Sequence, residues 1–374
     1  MNVDVLKENL EKGLSIIERV TGKNISLPIL DNVLISAEHN FLNLVSTDLE
    51  SAVKLWMLAK IIKQGKVCVS AKVFMNLVSL LPNEKITLSE EKGNLYIESH
   101  TSKNKIQGLN PEEFPLIPEF QNTKELKINS AHISQAISQV IDIIQPAQSK
   151  PEISGVYFSF SKNLIKIVST DTFRLAEKKI FLENDLKEEI SFILPQKPAK
   201  ELVNIFSNYN KDLNIFVSQN QIMFEAIMKE FKNPEIQVVS RLIDGEYPNY
   251  EEIIPKQFKT TITLKRDEFL NKAKAAAIFT GRVSEIKITT NVKNGTLSLF
   301  SSDASIGENY SEISPSHMQG EDVSMSFNHK FLTEGLLKIK SSEFIFQISK
   351  EDGPCIIKPV GDDSYIYVVM PIKS

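Results

Sequence analysis

Three aspartates in similar contexts are the first candidates for chemistry in this chain. Asp48, Asp171 and Asp303 each end a short run of apolar residues followed by serine or threonine. Carboxylates that a fold brings together can act as general acids and bases or bind a divalent cation. The stretches that carry them read LVSTD at 44–48, IVSTD at 167–171 and LFSSD at 299–303, and we call them the Asp segments. A repeated pattern favours a structural explanation, a strand running into a turn whose first side chain is acidic.

The other residue types offer no second set of catalytic or metal-binding groups. The 14 glycines form no phosphate-binding loop of the Walker or dinucleotide type. No serine stands in a nucleophile elbow. The five histidines are scattered without a second ligand at metal-binding spacing: His39, His100, His132, His317 and His329. The sequence therefore predicts no catalytic site, no metal and no cofactor.

The elements around each Asp segment recur in the same order. An amphipathic helical segment precedes it, at 5–20, 132–144 and 266–279, and a second follows, at 71–81, 196–206 and 328–339. A pair of alternating strands comes next, at 85–88 with 95–98, at 212–217 with 221–225, and at 343–348 with 355–360. A period of roughly 120 to 130 residues is too long for a solenoid and suits a whole small domain. We predict three similar domains, at 1–122, 123–253 and 254–374.

Two of the predicted helices have clear faces. The first should bury Leu6, Leu10, Leu14 and Ile17 along one stripe. The first helix of the second repeat should bury Ile133, Ala136, Ile137, Val140 and Ile144 and expose Gln135, Gln139 and Asp142.

Composition bounds the class of protein. The net charge of −4 argues against coating nucleic acid by bulk charge, although it leaves room for local basic surfaces. No run approaches the ~18 apolar residues of a membrane span, and the first residues carry no signal-peptide pattern. Cys68 and Cys355 lie in apolar, strand-like contexts. We expect buried free thiols and a cytoplasmic protein.

The end of the chain is unusually apolar. Residues 365–372 read YIYVVMPI, whereas a chain end is normally polar and frayed. One interpretation is a final strand docked in a sheet. The other is that its last residues line a groove for a partner.

Four motifs in order along the chain resemble one family. They are LPIL at 27–30, STDTFRLA at 169–176, LIDGEYPNY at 242–250 and YVVMP at 367–371. The last two are specific and the first is weak. With them the whole chain resembles the bacterial DNA polymerase III beta subunit, the processivity sliding clamp.

The resemblance implies a fold and an assembly. The fold class would be α+β, with three tandem clamp-type domains, each made of two helices packed on antiparallel sheets. Two chains would join head to tail into a closed pseudo-sixfold ring, a homodimer that encircles duplex DNA and acts as a processivity factor. By position the dimer interface would include Ile106, Ile278 and Phe279, for which core packing is the alternative interpretation.

The ring would place the helices around the DNA and give their basic residues a common direction. A field of weak, salt-sensitive contacts allows sliding and needs no base recognition. The candidate DNA-facing residues are Lys12, Arg19, Lys23, Lys72, Lys150, Lys197, Lys200, Lys272, Lys274 and Lys330.

The resemblance also implies a cleft for the peptide tails of the clamp loader, the replicative polymerase and other clients. Matched position by position, it would contain Ile153, Thr170, Thr172, Phe173, Arg174, Leu175, Pro248, Ile253, Asn328, Phe331, Pro354, Val368, Val369, Met370, Pro371 and Ile372. Two positions depart from the family pattern. Thr172 stands where glycine is common and Glu252 where a basic residue is common, which leaves the preferred peptide sequence open.

Two other classes of protein compete with this interpretation. A β-rich scaffold or adhesion module would also lack catalytic residues, but the missing secretion signal and the repeated helix pairs argue against it. A hydrolase is a distant third because no site presents itself. Retention on circular but not on linear DNA would distinguish a clamp from both.

Overall fold

A computed structural model describes residues 1–22, 27–117, 120, 123–145, 150–183, 186 and 189–373. The first repeat forms β1 (Asn2–Leu6), α1 (Lys7–Val20), β2 (Asn32–Glu38), β3 (Phe41–Thr47), β4 (Ser51–Leu58), β5 (Lys60–Lys63), β6 (Gly65–Ser70), α2 (Ala71–Leu80), β7 (Lys85–Glu91), β8 (Asn94–Glu98), β9 (Lys103–Ile106) and β10 (Gly108–Leu109). The second forms β11 (Lys124–Asn129), α3 (Ser130–Val140), β12 (Gly155–Ser161), β13 (Leu164–Thr170), β14 (Arg174–Phe181), β15 (Ile190–Pro195), α4 (Gln196–Phe206), β16 (Asp212–Val217), β17 (Gln221–Ile227) and β18 (Pro234–Arg241). The third forms β19 (Thr260–Lys265), α5 (Arg266–Ala277), β20 (Glu285–Asn291), β21 (Thr296–Asp303), β22 (Gly307–Ile313), β23 (His317–Gly320), β24 (Ser324–Asn328), α6 (His329–Leu337), β25 (Glu343–Ile348), β26 (Cys355–Pro359) and β27 (Tyr365–Val369).

The repeated order of elements is confirmed, with six helices in the predicted places. The paired strands after each second helix are β7 with β8, β16 with β17, and β25 with β26. The sequence reasoning missed the strand that precedes each first helix and the strand that follows each Asp segment.

The chain divides into two compact units. Unit 1 contains Met1–Gln135 with Lys197–Leu242, and unit 2 contains Ala136–Gln196 with Ile243–Ser374. The second repeat therefore contributes to both units. The three domain boundaries drawn from the sequence remain a prediction.

Unit 1 contains two antiparallel sheets. Five strands pair in the order β5-β1-β7-β8-β9, and nine in the order β10-β6-β2-β3-β4-β18-β17-β16-β11. Helix α1 packs on α2 and on strands β3 and β4. Its buried stripe contains Leu10, Leu14 and Ile17 as expected, but Leu6 is exposed because it ends β1 and precedes the helix.

Unit 2 repeats this plan. Nine strands pair in the order β15-β12-β13-β14-β27-β26-β25-β19-β23, and four in the order β22-β21-β20-β24. Helix α5 packs on α6, β21 and β22. Gln139, expected on the exposed face of α3, is instead buried, because its side-chain amide donates to the Lys338 carbonyl oxygen at 3.1 Å.

Each nine-stranded sheet joins strands of two repeats. Strand β4 pairs with β18 in unit 1, and β14 pairs with β27 in unit 2. The final strand is thus inside a sheet, which confirms the first interpretation of the apolar chain end. Cys68 and Cys355 are buried and free, as predicted. Within the described ranges, no helix has the length and apolar character that crossing a membrane requires.

Candidate functional site

The Asp segments form matching turns after β3 and β13. In unit 1 the Thr47 hydroxyl donates to the Ser51 carbonyl oxygen at 2.8 Å, and the Ser51 backbone N–H donates to Asp48 Oδ1 at 2.7 Å. In unit 2 the corresponding distances, Thr170 to Arg174 and Arg174 to Asp171, are 2.8 and 3.0 Å. The carboxylates thus accept backbone hydrogen bonds of their own turns, as the structural interpretation requires.

In the first and third Asp segments, the serine two residues before the aspartate ties the segment to the preceding helix. Ser46 Oγ donates to the carbonyl oxygen of Ile17 in α1 at 2.9 Å, and Ser301 Oγ to that of Ala276 in α5 at 2.7 Å. These carbonyls lie in the last turn of each helix, where the regular backbone hydrogen bonds of the helix run out. The Ala276 carbonyl also accepts the Phe279 backbone N–H at 3.0 Å. The Ser169 hydroxyl is buried and has no partner among the described residues.

Arg174 is the buried cation beneath the predicted cleft. Its Nε donates to Asp171 Oδ2 at 2.8 Å, a second nitrogen donates to Glu334, and the guanidinium lies 4.4 Å from the Phe331 ring centroid. Burial alone would lower the pKa of Arg174, but the hydrogen bonds to Glu334 and Asp171 outweigh it and raise that pKa above its ordinary value. The network fixes Arg174 and holds Phe331 against it.

An apolar surface covers this network. The Phe173 side chain is 60% exposed, and its ring centroid lies 6.4 Å from that of Phe331. The Met370 backbone N–H donates to the Phe173 carbonyl oxygen at 2.9 Å, and the Ile372 N–H to that of Ser326 at 2.7 Å. The structure therefore brings Phe173, Arg174, Phe331 and Met370 together.

Several predicted cleft residues are buried. They are Ile153, Leu175, Val368, Val369 and Pro371. Leu175 and Val368 face each other on β14 and β27 and share one hydrophobic cluster with Tyr250. Such residues fix the shape of a cleft without lining its open face.

The remaining predicted cleft residues have local structural roles or lie on loops. Asn328 Oδ1 accepts the Lys330 backbone N–H at 3.0 Å and caps α6. The Pro354 carbonyl accepts from the Ser349 hydroxyl at 2.7 Å. Pro248, Ile253 and Thr172 are exposed.

The loop at 243–255, which we call the exit loop, is anchored by aromatic residues that sequence reasoning did not assign to the site. The Tyr247 ring stacks on Tyr157 with centroids 4.6 Å apart. The buried Tyr250 hydroxyl donates to Glu177 Oε2 at 2.6 Å. The pairing of tyrosines with a proline in this loop was the only sequence signal. Glu177 and Glu334 gave none, because their partners are distant in sequence.

Most of the predicted DNA-facing residues are exposed cations on helices or beside them. Arg19, Lys72, Lys150, Lys200, Lys274 and Lys330 belong to this group. Three others have carboxylate partners: Lys12 with Glu8 at 2.6 Å, Lys197 with Asp48, and Lys272 with Glu268 at 3.6 Å. Lys23 lies outside the described residues.

The predicted interface residues differ in exposure. Ile106 is 7% exposed and pairs with Leu95 inside a sheet, which fits the alternative of core packing. Ile278 is 66% exposed and Phe279 is half-buried. Sequence reasoning missed Leu80 at the end of α2, which is 85% exposed.

Comparison with known proteins identifies the family. Profiles of the DNA polymerase III beta subunit match the chain in three consecutive parts: the N-terminal domain at 1–118, the central domain at 127–249 and the C-terminal domain at 251–373. The chain belongs to the DNA polymerase III beta subunit family. Membership places it among the sliding clamps, the processivity factors of that polymerase.

Relatives of this beta subunit match 93% or more of its length. The Beta sliding clamp of Staphylococcus aureus is 26% identical over 360 residues, which cover 93% of each chain. The beta subunit structure from Thermotoga maritima has a TM-score of 0.92 at 26% identity and covers 100% of this chain and 99% of its own.

Two further solved structures share the fold. The sliding clamp of Bacillus subtilis has a TM-score of 0.93 at 21% identity, covering 100% of this chain and 99% of its own. The sliding clamp of Pseudomonas aeruginosa bound to griselimycin has a TM-score of 0.93 at 22% identity, with full coverage of both.

Proposed function

We propose that two copies of this beta subunit close a ring around duplex DNA and hold it by threading, without reading its sequence. The observation that carries the proposal is that clamp-domain profiles account for nearly the whole chain in three consecutive parts. The exposed cations on the helices would supply weak phosphate contacts, and such contacts permit sliding. The function needs no catalysis, and its expected place is the cytoplasm.

Two unpaired sheet edges are suited to the contact between copies. Strand β9 is the last strand of a sheet in unit 1, and β22 is the last strand of a sheet in unit 2. An edge strand presents free backbone N–H and carbonyl groups that can pair with another chain. A head-to-tail contact of β9 with the partner's β22 would make one continuous sheet and leave each copy one more edge for a second, identical contact.

The side chains on these edges have opposite charge. Lys103 and Lys105 are exposed on β9, whereas Glu308 and Glu312 are exposed on β22. Opposite charges on facing strands stabilise a pairing, and like charges oppose it. Exposed Leu80 in unit 1 and exposed Ile278 in unit 2 would add apolar area to the same contact.

The apolar surface formed by Phe173, Phe331, Met370 and Ile253 would bind the client tails. An exposed phenylalanine costs free energy in water, and a partner's apolar side chain that covers it recovers that cost. The Arg174 network and the backbone bonds of the chain end hold the surface in place before binding. Met370 can adapt to anchors of different shape because its side chain is unbranched. The clamp loader and the replicative polymerase are the proposed clients.

The equivalent turn of unit 1 lacks this surface. Glu50 stands in the position of Phe173, and Ser51 in that of Arg174. Arg241 replaces Met370, since its backbone N–H donates to the Glu50 carbonyl oxygen at 2.9 Å as Met370 does to Phe173. The turn of unit 2 therefore has an apolar surface, and the equivalent turn of unit 1 is polar. This difference supports client binding at unit 2.

Retention on DNA tests the ring. The clamp, loaded by its clamp loader, should stay on a closed circular plasmid and leave after the plasmid is cut once, as measured by gel filtration of labelled clamp. The control for loading is a plasmid that is loaded as a circle, separated from free clamp and only then cut. Equal retention on circular and linear DNA would contradict threading.

Removing one aromatic ring tests the cleft. Phe173→Ala should weaken binding of a polymerase tail peptide by about thirtyfold or more, because a buried aromatic anchor contact contributes about 2 kcal/mol or more. Phe181→Ala is the matched control, since Phe181 is 66% exposed at the other end of the same strand. Peptide binding measured by fluorescence anisotropy that survives Phe173→Ala would place the client site elsewhere.

A further inference from the structure

The exit loop surrounds its apolar residues with negative charge. Between 244 and 253 it contains four acidic residues and no lysine or arginine, and all four are exposed: Asp244, Glu246, Glu251 and Glu252. Glu152, next to Ile153, lies beside Gly245 of the same loop. Pro248 thus lies between Glu246 and Glu251 in the sequence, and Glu252 directly precedes Ile253.

Most of this charge is not neutralised within the described part of the chain. Lys166 Nζ pairs with Glu251 at 2.5 Å. No described lysine or arginine forms an ion pair with Asp244, Glu246 or Glu252. Glu252 accepts a hydrogen bond from the Asn249 side chain at 2.7 Å, which orients the carboxylate without cancelling its charge.

The loop that carries the charge is fixed on the sheet beneath the cleft. Tyr250 packs in one hydrophobic cluster with Leu175 and Val368, and its hydroxyl bonds to the buried Glu177. Tyr247 stacks on Tyr157 in the same region. Carboxylates held by a fixed loop act on a bound ligand without a large cost in ordering the loop.

We propose that the client segments of this clamp carry lysine or arginine beside their apolar anchors and pair these cations with the acidic exit loop. The inference rests on the proposed peptide cleft and adds the charge of its partner. An acidic loop beside an apolar patch favours ligands with a positive charge at that side, because a like charge there opposes binding.

Three versions of one peptide test the charge preference. A fluorescein-labelled ten-residue peptide from the tail of the replicative polymerase is made with two lysines, two serines or two glutamates flanking an unchanged apolar core. On the dimeric clamp in about 50 mM salt, the lysine version should bind roughly five- to tenfold tighter than the glutamate version, with serine between them. At about 500 mM salt the difference should largely disappear, because the charges are exposed and screened.

A charge-reversed clamp provides the second arm. Glu246→Lys with Glu252→Lys leaves two carboxylates and two lysines among the four acidic positions of the exit loop and should abolish the preference among the three peptides. The matched control is Glu112→Lys with Glu113→Lys at the exit of the first repeat, where Asn110 contacts Glu113 at 3.4 Å as Asn249 contacts Glu252. The control should keep the order of the unmodified clamp.

The outcomes distinguish the charge preference from peptide binding at the cleft itself. Equal affinity for all three peptides, or a preference for glutamate, would overturn the charge preference and leave the cleft standing. Failure of every peptide to bind would overturn the cleft and the preference together.

Discussion

Thr172 adopts φ +77° in the turn beneath the cleft, and Leu49 adopts φ +74° at the same position of the unit 1 turn. The left-handed region costs an L-residue about 1–2 kcal/mol and glycine almost nothing, and a β-branched side chain suits it least. The turn geometry demands this conformation, because the Thr172 N–H donates to Thr170 Oγ1 at 3.3 Å.

The strain at Thr172 predicts an inverted order of substitutions. Thr172→Gly should be more stable than Thr172→Ala by about 1 kcal/mol, although glycine normally loses more backbone entropy on folding than alanine. The midpoint of urea unfolding measures the difference. At Thr101, which is exposed and has no positive φ, alanine should be at least as stable as glycine. If alanine were at least as stable as glycine at Thr172 as well, the turn would impose no strain.

Lys197, one of the predicted DNA-facing residues, is bonded to Asp48. Burial raises the pKa of Asp48, but the hydrogen bonds from Lys197 and Ser51 outweigh burial and bring that pKa below its ordinary value. A carboxyl whose pKa is lower in the folded state stabilises the fold above the unfolded-state pKa of about 3.9. That stabilisation is lost as the pH falls through the folded-state pKa.

Removing the lysine should therefore change how steeply the free energy of unfolding falls at acid pH. Lys197→Met should raise the pKa of Asp48 and reduce the loss of stability between about pH 5 and pH 3. Carboxyl NMR of Asp48 measures the pKa, and urea unfolding at both pH values measures the loss. Lys200→Met is the control, because Lys200 is exposed and has no ion pair with a described residue. An unchanged Asp48 titration in Lys197→Met would refute the coupling.

At the scale of elements, two of the three Asp segments connect their strand to the preceding helix through a serine hydroxyl. The serine hydroxyl bonds a helix-end carbonyl in the first and third repeats, whereas the Ser169 hydroxyl has no partner in the described chain. One sequence pattern thus gives two energetic outcomes.

This difference predicts unequal effects of one substitution made three times. Ser46→Ala and Ser301→Ala should each destabilise their unit by about 1 kcal/mol, because each removes a buried hydrogen bond to a helix-end carbonyl. In Ser301→Ala the Ala276 carbonyl keeps its bond from the Phe279 N–H, so the loss there should be the smaller of the two. Ser169→Ala should be close to neutral, since it removes a hydroxyl that is already unsatisfied. Chemical unfolding of the three variants measures the effects. Equal losses at all three positions would mean that the serines act through packing alone.

The helices and hairpins could be predicted from the sequence because their periodicity is local. The strands after the Asp segments could not, since β14 contains Glu177, Lys178 and Lys179 and lacks an alternating pattern. Glu177 is tolerated there because Tyr250 and Lys179 satisfy it, and Tyr250 lies 73 residues away. The Arg174–Glu334 contact spans 160 residues and has no local signature either. The cleft residues themselves came from the family resemblance.

At the scale of the molecule, both nine-stranded sheets contain strands of two consecutive repeats. Because β4 pairs with β18 and β14 with β27, the two junctions between consecutive repeats are continuous sheets. The strands β9 and β22 are sheet edges of the first and third repeats, as are β5, β10, β23 and β24. If β9 of one copy paired with β22 of the other, the junction between the two copies would also be a continuous sheet, like the junctions between repeats within one chain.

Exchange of charges across that contact tests the assembly. Lys103→Glu with Lys105→Glu should convert the dimer to a monomer, because four carboxylates would then face one another in each contact, and Glu308→Lys with Glu312→Lys should do the same. The four substitutions combined in one chain should restore the dimer, since the charges are again opposite. Sedimentation equilibrium gives the mass of each variant. Monomer in the combined variant, or dimer in both doubles, would show that these edges do not meet.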